Sequence, residues 1–293
     1  VFIMMAFLIV KYLGIGIGKW SNLKEQLAFA LPTIPSNVSS WVVDSSDKYV
    51  IGILIGSVAV GCYSPGYALG SILLMFLSPF AVLLPAVLPE YYEKGDIGEV
   101  DKYLSYSMKY YLLLTIPAAV GMSVLSKPLL YIITTPEIAL GGYMVTPFVC
   151  LGAIFMGMYG ITNNILILEK NTMILGKLWI VVAISNIVLN LLLVPYLNIL
   201  GAAIATLFCY ILAFAVTAIA SKKTMRLPFN IKELLKIVIA AAIMGIAVYM
   251  MHPNGIINVL ISIVAGVIIY FVIIFILKAV TIKEIGIFKD LLH

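Results

Sequence analysis

Apolar runs of membrane-spanning length recur along the whole chain, at roughly residues 1 to 18, 27 to 55, 59 to 90, 106 to 126, 142 to 168, 172 to 194, 200 to 221, 233 to 251 and 255 to 278. A hydrocarbon core of about 30 Å takes about 20 residues of α-helix, and a spanning segment must satisfy its own backbone polar groups. Each run therefore predicts a transmembrane helix, and the pattern as a whole predicts an all-α integral membrane protein, a polytopic helical bundle. Connections such as Pro195 to Leu200 and His252 to Asn254 are too short to hold a soluble domain. Residues 128 to 135, bounded by prolines, read as an outer-surface extension of the fourth run.

Composition agrees and removes other classes. Hydrophobic residues make up 63% and charged residues 11% of the 293, with a mean hydropathy of +1.15. An ordinary soluble domain is about 45–50% apolar and about 25% charged, so a soluble enzyme, a disordered chain and a nucleic-acid-binding protein are excluded. Cys62, Cys150 and Cys209 stand alone in apolar stretches, and His252 and His293 have no acidic neighbours at ligand spacing. Neither a disulfide framework, a metal site nor a cofactor is expected.

The distribution of basic residues gives the orientation, because lysine and arginine stay on the cytoplasmic side of spans. With the nine runs alternating, 16 of the 18 basic residues fall on one side, Lys127 falls on the other and Lys48 lies within the membrane. The first run then ends in the cytoplasm and so does the C-terminus of a multi-pass cell-membrane protein. The same asymmetry decides the stretch DSSDK at residues 44 to 48. As an external loop it would move every basic residue from Lys94 onward to the outside, so residues 27 to 55 are read as one kinked span with charges inside it. Val1 opens the chain within an apolar run, without a basic flank or signal-peptide pattern, which predicts that an N-terminal part of a longer protein is missing.

Polar residues in spans are the candidate chemistry. Asn37, Ser40, Asp44, Asp47 and Lys48 are spaced 3, 4, 3 and 1 and fall within an arc of about 100° on a helix. One ionised residue at mid-bilayer costs at least about 2.5–3.5 kcal/mol, so three on one stripe must face protein or water. Two readings fit: a structural seam in which Lys48 neutralises Asp44 at i, i+4, or the wall of a hydrated transport cavity. Pro32 and Pro35 precede the stripe, and Pro65, Pro79, Pro85 and Pro89 kink the third run. Asn163 and Asn164 in the fifth run, and Asn186 with Asn190 in the sixth, form a weaker polar set suited to bonds between helices. Tyr63, Tyr67, Tyr106, Tyr110, Tyr111 and Trp20 read as interfacial aromatic belts.

Four stretches, FALPTIPSNVSSWVVDSSDKYVIG, AVGCYSPGYALG, LLPAVLPEYYEKGD and NLLLVPYLNILGAAIAT, resemble the polysaccharide and O-antigen flippases of the multidrug/oligosaccharidyl-lipid/polysaccharide exporter superfamily. The resemblance covers about residues 22 to 220. It implies a lobe of six helices from a two-lobe transporter. Residues 1–18 would be the last helix of an otherwise missing N-terminal lobe, 19–26 a cytoplasmic linker, 27–221 the second lobe, 222–232 a basic linker, and 233–293 two additional helices with a short cytoplasmic tail. The implied activity is flipping of a polyprenyl-phosphate- or diphosphate-linked oligosaccharide to the outer leaflet for cell-surface polysaccharide synthesis, with membrane lipids and a coupling ion, sodium or proton, as further partners. Asp47 and Lys48 match an acidic-basic pair of the family, although many members have arginine in place of Lys48.

Three other functions remain in view. A cation-coupled multidrug or metabolite exporter of the same superfamily would favour carboxylates without a compensating base, which Lys48 opposes. A membrane-embedded glycosyltransferase or polymerase needs larger outer loops with an accessible acid, and Glu137 is the only acid there. A remnant without its first lobe would transport nothing.

Overall fold

The computed structural model describes residues 33–222 and 231–278, with side chains from residue 38 onward. The expected first helix, the linker 19–26, most of the linker 222–232 and the C-terminal tail lie outside the described residues. Within them the chain forms α1 (Thr33–Leu54), α2 (Ser57–Ser71), a 3-10 segment (Ile72–Leu77), α3 (Ser78–Glu93), α4 (Ile97–Ile133), α5 (Pro136–Gly142), α6 (Val145–Leu168), α7 (Thr172–Leu197), α8 (Ile199–Ser221), α9 (Ile231–Met250) and α10 (Gly255–Ile276), and no strand. DSSDK lies inside α1, so this stretch is helix and not loop. Six continuous helical segments among the described residues are long and apolar enough to cross a membrane: Ser57–Glu93, Ile97–Ile133, and α6, α7, α8 and α10. The fold is that of a polytopic helical membrane protein.

Prolines shape these helices through the carbonyls that they leave without a helical donor. Pro79 has no N–H for the carbonyl of Met75, four residues earlier, and that carbonyl instead accepts the Ser78 backbone N–H in 3-10 fashion together with Ser78 Oγ over 2.8 Å. The α2 to α3 segment thereby continues through its 3-10 stretch. In α4, Pro117 leaves the carbonyl of Leu113, which the Tyr270 hydroxyl of α10 takes up at 2.8 Å. Between α3 and α4 the chain turns at Gly95, φ +76, and Asp96 caps α4 by accepting from the Glu99 N–H. Asn198, φ 52, turns α7 into α8.

Among the described residues the buried apolar side chains gather in four clusters, of which two are the largest. One surrounds α4 and joins it to α3, α6, α9 and α10; the other joins α1, α6, α7 and α8. Close backbone approach fixes α2. A Cβ on Gly66 would lie 2.4 Å from the Gly142 carbonyl oxygen, and one on Gly70 would lie 2.7 Å from Val149 Cβ. Beside α9 and α10 an apolar pocket of about 510 Å³ is lined by Leu113, Pro117, Met122, Met244, Gly266 and Tyr270 among others.

Candidate functional site

α1 carries two different faces. Ser39, Val43, Asp47 and Ile51 recur every four residues and are buried, Asp47 completely. Trp41, Asp44 and Lys48 are exposed. The single polar arc expected from spacing is therefore divided at its edge: Asp47 turns into the helix bundle, and Asp44 and Lys48 stand on its open face.

Three neutral donors from three helices hold the Asp47 carboxylate. The hydroxyls of Tyr63 on α2 and Thr206 on α8 donate to Oδ2 over 2.6 and 2.7 Å, and Asn190 Nδ2 on α7 donates to Oδ1 over 2.9 Å. Asn186 extends the cluster, donating to Thr206 Oγ1 over 3.4 Å and accepting from Ser46 Oγ over 2.5 Å. Asn190 Nδ2 also lies 3.0 and 3.1 Å from the backbone and side-chain oxygens of Asn186, while its own buried Oδ1 has no hydrogen-bond partner among the described residues. No ion pair within 4 Å reaches Asp47 among the described residues. The buried Asp47 carboxylate is thus met by two hydroxyls and one amide N–H, neutral donors that compensate a charge costly inside an apolar bundle.

The open face is built differently. Tyr210 on α8 donates to Asp44 Oδ1 over 2.7 Å. The Lys48 ammonium sits 5.4 Å from the ring centroid of Tyr67 on α2, a cation–π contact. The expected Asp44–Lys48 ion pair is not formed within 4 Å. Tyr210 satisfies the carboxylate and Tyr67 seats the ammonium, so the two side chains part although they are one turn apart.

The sequence profile of the MatE family matches residues 32–192. The chain belongs to the MatE family. A relative named "Probable low-salt glycan biosynthesis flippase Agl15", from Haloferax volcanii, is 20% identical over 86% of this chain and 54% of its own length. An uncharacterized membrane protein of Methanocaldococcus jannaschii is 30% identical over 74% of this chain and 43% of its own. The chain spans about half the length of these curated relatives. The fold is similar to that of the lipid II flippase MurJ in an inward closed conformation, with a TM-score of 0.70 and 23% identity over 99% of this chain and 60% of that one. MatE membership and the apolar helices make this a multi-pass membrane protein of the exporter superfamily that the sequence resembles.

In this MatE family member the remaining polar residues distribute unevenly. The side chain of Asn37 lies outside the described residues, and Ser40 is half-buried. Asn164 donates to the carbonyls of Gly160 and Ile161 in its own helix, over 3.0 and 3.1 Å. Asn163 interacts with Tyr159, one turn earlier on the same helix. Neither is seen in an interhelical bond among the described residues: Asn164 turns to its own backbone, as a short helical amide readily does, and Asn163 to the Tyr159 side chain. Asn186 and Asn190, expected as helix glue, are brought to Asp47. Tyr63 and Tyr111, expected in interfacial belts, are fully buried; the Tyr111 hydroxyl donates to the Ala153 carbonyl over 2.8 Å. Thr206 and Tyr210 were without any signal in the sequence beyond their place in an apolar run. The i, i+4 pairs Tyr63/Tyr67 and Asn186/Asn190 were the signal for the rest.

Proposed function

We propose that this chain forms the second lobe, with two additional helices, of a flippase that carries a lipid-linked oligosaccharide across the membrane by alternating access. One observation carries the reading: on α1 an exposed cation, Lys48, directly follows a fully buried carboxylate, Asp47, that is held only by neutral donors. A polyprenyl phosphate or diphosphate head group is anionic and finds its counter-charge in the Lys48 ammonium. Sugar hydroxyls find acceptors and donors in Asp44, Tyr210 and Tyr67. Asp47, with the oxygens of Asn186, Asn190, Thr206 and Tyr63, is suited to the coupling ion, sodium or proton. The polyprenyl tail stays in lipid while the head group crosses from the cytoplasmic to the outer leaflet of the cell membrane. In this reading the C-terminus is cytoplasmic, and a first lobe supplies the facing wall.

Complementation of a flippase-deficient host by the two-lobe protein tests this. Lys48→Met should accumulate the lipid-linked precursor with unchanged amounts of inserted protein, and Lys48→Arg should keep part of the export because charge is retained with altered geometry. Export at the wild-type rate by Lys48→Met removes the head-group contact and with it the reading. The exposed Asp44 carboxylate favours a second reading, a cation-coupled exporter of cationic compounds. That reading predicts that Asp44→Asn abolishes drug resistance and that Lys48→Met leaves it intact.

A further inference from the structure

Tyr63 and Tyr67 stand one turn apart on α2, and each touches a different charged residue of α1. The Tyr63 hydroxyl donates to Asp47 Oδ2 over 2.6 Å, inside the lobe. The Tyr67 ring lies under the Lys48 ammonium, on the open face. The two rings are 5.6 Å apart at an interplanar angle of 37°, so they are in van der Waals contact. Through them the buried carboxylate and the exposed cation are joined by side chains alone.

The backbone beneath the rings has little room to move. Gly66, against the α5 backbone, and Gly70, against Val149, lie on the same stripe of α2 as the tyrosines and hold the helix at distances that exclude even a methyl group. The Thr146 hydroxyl donates to the Gly66 carbonyl over 3.0 Å and adds to the clamp. A displacement of the Tyr63 ring is therefore passed to its ring neighbour and not absorbed by the helix. A hydrogen bond to an ionised carboxylate is roughly twice as strong as one to a neutral group, so neutralising Asp47 by a proton or a bound cation loosens Tyr63 from its acceptor. The groups that face Lys48 and share its environment are Asp44 on α1, Tyr67 on α2 and Tyr210 on α8, which bonds Asp44 and also interacts with the Tyr67 side chain.

We propose that Tyr63 and Tyr67 form a side-chain linkage that makes the seat of the Lys48 ammonium depend on how tightly the Asp47 side chain holds the Tyr63 hydroxyl, with Tyr67 as the positioning residue for Lys48. The linkage deepens the proposed function by joining its two contacts, and rests on it only for its use in transport. By thermodynamic reciprocity, an anion drawn to Lys48 changes the affinity of the Asp47 cluster for its own ligand by the same factor.

The test reads Lys48 directly and needs no lipid substrate. In the two-lobe protein purified into lipid nanodiscs, the rate of Lys48 acylation by an amine-reactive reagent is followed at fixed pH by peptide mass spectrometry. Asp47→Asn, which fixes the neutral state, should change that rate about fivefold or more, the lower end of ordinary coupling factors. Tyr63→Phe, which removes only the hydroxyl on Asp47, should reproduce the change and serves where Asp47→Asn folds poorly. In a Tyr67→Leu background the Asp47→Asn effect should fall below about twofold, and Tyr67→Phe should restore it, because the ring alone makes both contacts. An undiminished effect in Tyr67→Leu overturns the linkage, and so does a Lys48 rate indifferent to both Asp47→Asn and Tyr63→Phe. Normal export by Lys48→Met with an intact rate effect overturns the head-group role and leaves the linkage standing.

Discussion

The Tyr270 hydroxyl on α10 donates over 2.8 Å to the carbonyl of Leu113 on α4, the one acceptor that Pro117 deprives of its helical N–H. A proline defect in one helix is thus the docking point of another. Tyr270→Phe leaves that carbonyl buried and unsatisfied, which costs about 1–3 kcal/mol. Pro117→Ala returns the helical donor to Leu113, so the double variant should lose less than the sum of the single losses. Thermal unfolding in detergent measures both. Strict additivity would show that the tyrosine serves packing and not the orphaned carbonyl.

Gly157 on α6 faces the Tyr111 ring so closely that a Cβ there would stand 1.9 Å from Cζ. Gly157→Ala must push the ring aside and break its bond to the Ala153 carbonyl, with an overpacking cost of about 1–3 kcal/mol. Tyr111→Phe loses only the hydroxyl, about 1 kcal/mol. The expected order of melting temperature is wild type, then Tyr111→Phe, then Gly157→Ala. Equal stability of Gly157→Ala and wild type would mean that α4 and α6 do not approach as closely as described.

The two charges that adjoin on α1 should respond in opposite ways to removal. Asp47→Leu strands the Tyr63 and Thr206 hydroxyls and the Asn190 amide inside the lobe, at about 1–3 kcal/mol for each buried group left unpaired. Lys48→Met removes an exposed ammonium whose ring contact is worth about 0.5–1 kcal/mol, and folded yield should change little. Monodisperse protein recovered in detergent separates the cases. A loss for Lys48→Met as large as that for Asp47→Leu would return Lys48 to the role of a buried structural partner.

Spacing along α1 was enough to single out Asp44, Asp47 and Lys48, because charge in an apolar helix is costly wherever the helix lies. Spacing could not divide them. A helical arc fixes angles about its own axis, and the boundary between the buried and open faces is set by where α2, α7 and α8 pack. That is why the i, i+4 pairing of Asp44 with Lys48 failed: the competing partners, Tyr210 and Tyr67, come from helices distant in sequence. Six of the expected spans were legible from hydropathy, and the helical state of DSSDK from charge asymmetry, since both depend on the solvent that surrounds the chain and not on a particular neighbour. Tyr63 was misplaced for the converse reason, as a tyrosine suits an interfacial belt and a buried carboxylate equally well. The pairs Tyr63/Tyr67 and Asn186/Asn190 held usable information, for repeated polar groups one turn apart share a face and point at one neighbouring helix, here α1.

The orientation proposed from lysine and arginine can be read by cysteine labelling in a cysteine-free background. Ile55 at the α1 to α2 turn, Tyr196 at the end of α7, which is 84% exposed, and Asn254 before α10 should react in intact cells with an impermeant maleimide. Lys94 after α3, Met173 at the start of α7 and Lys222 after α8, all exposed, should react only after permeabilisation. These positions avoid the left-handed backbone of Gly56, Gly95 and Asn198, where a cysteine would itself introduce strain. The pair Ile55 and Lys94 is decisive because Ser57–Glu93 has 37 residues, about 55 Å of helix at 1.5 Å per residue against a hydrocarbon core of about 30 Å. Such a segment must tilt, bend at its prolines or run on beyond the bilayer, but if it crosses once its ends label from opposite sides. Labelling of Ile55 and Lys94 from the same side would fold the segment back at its 3-10 stretch. It would also shift the side assignment of every later helix by one crossing and place most of the basic residues outside the cell.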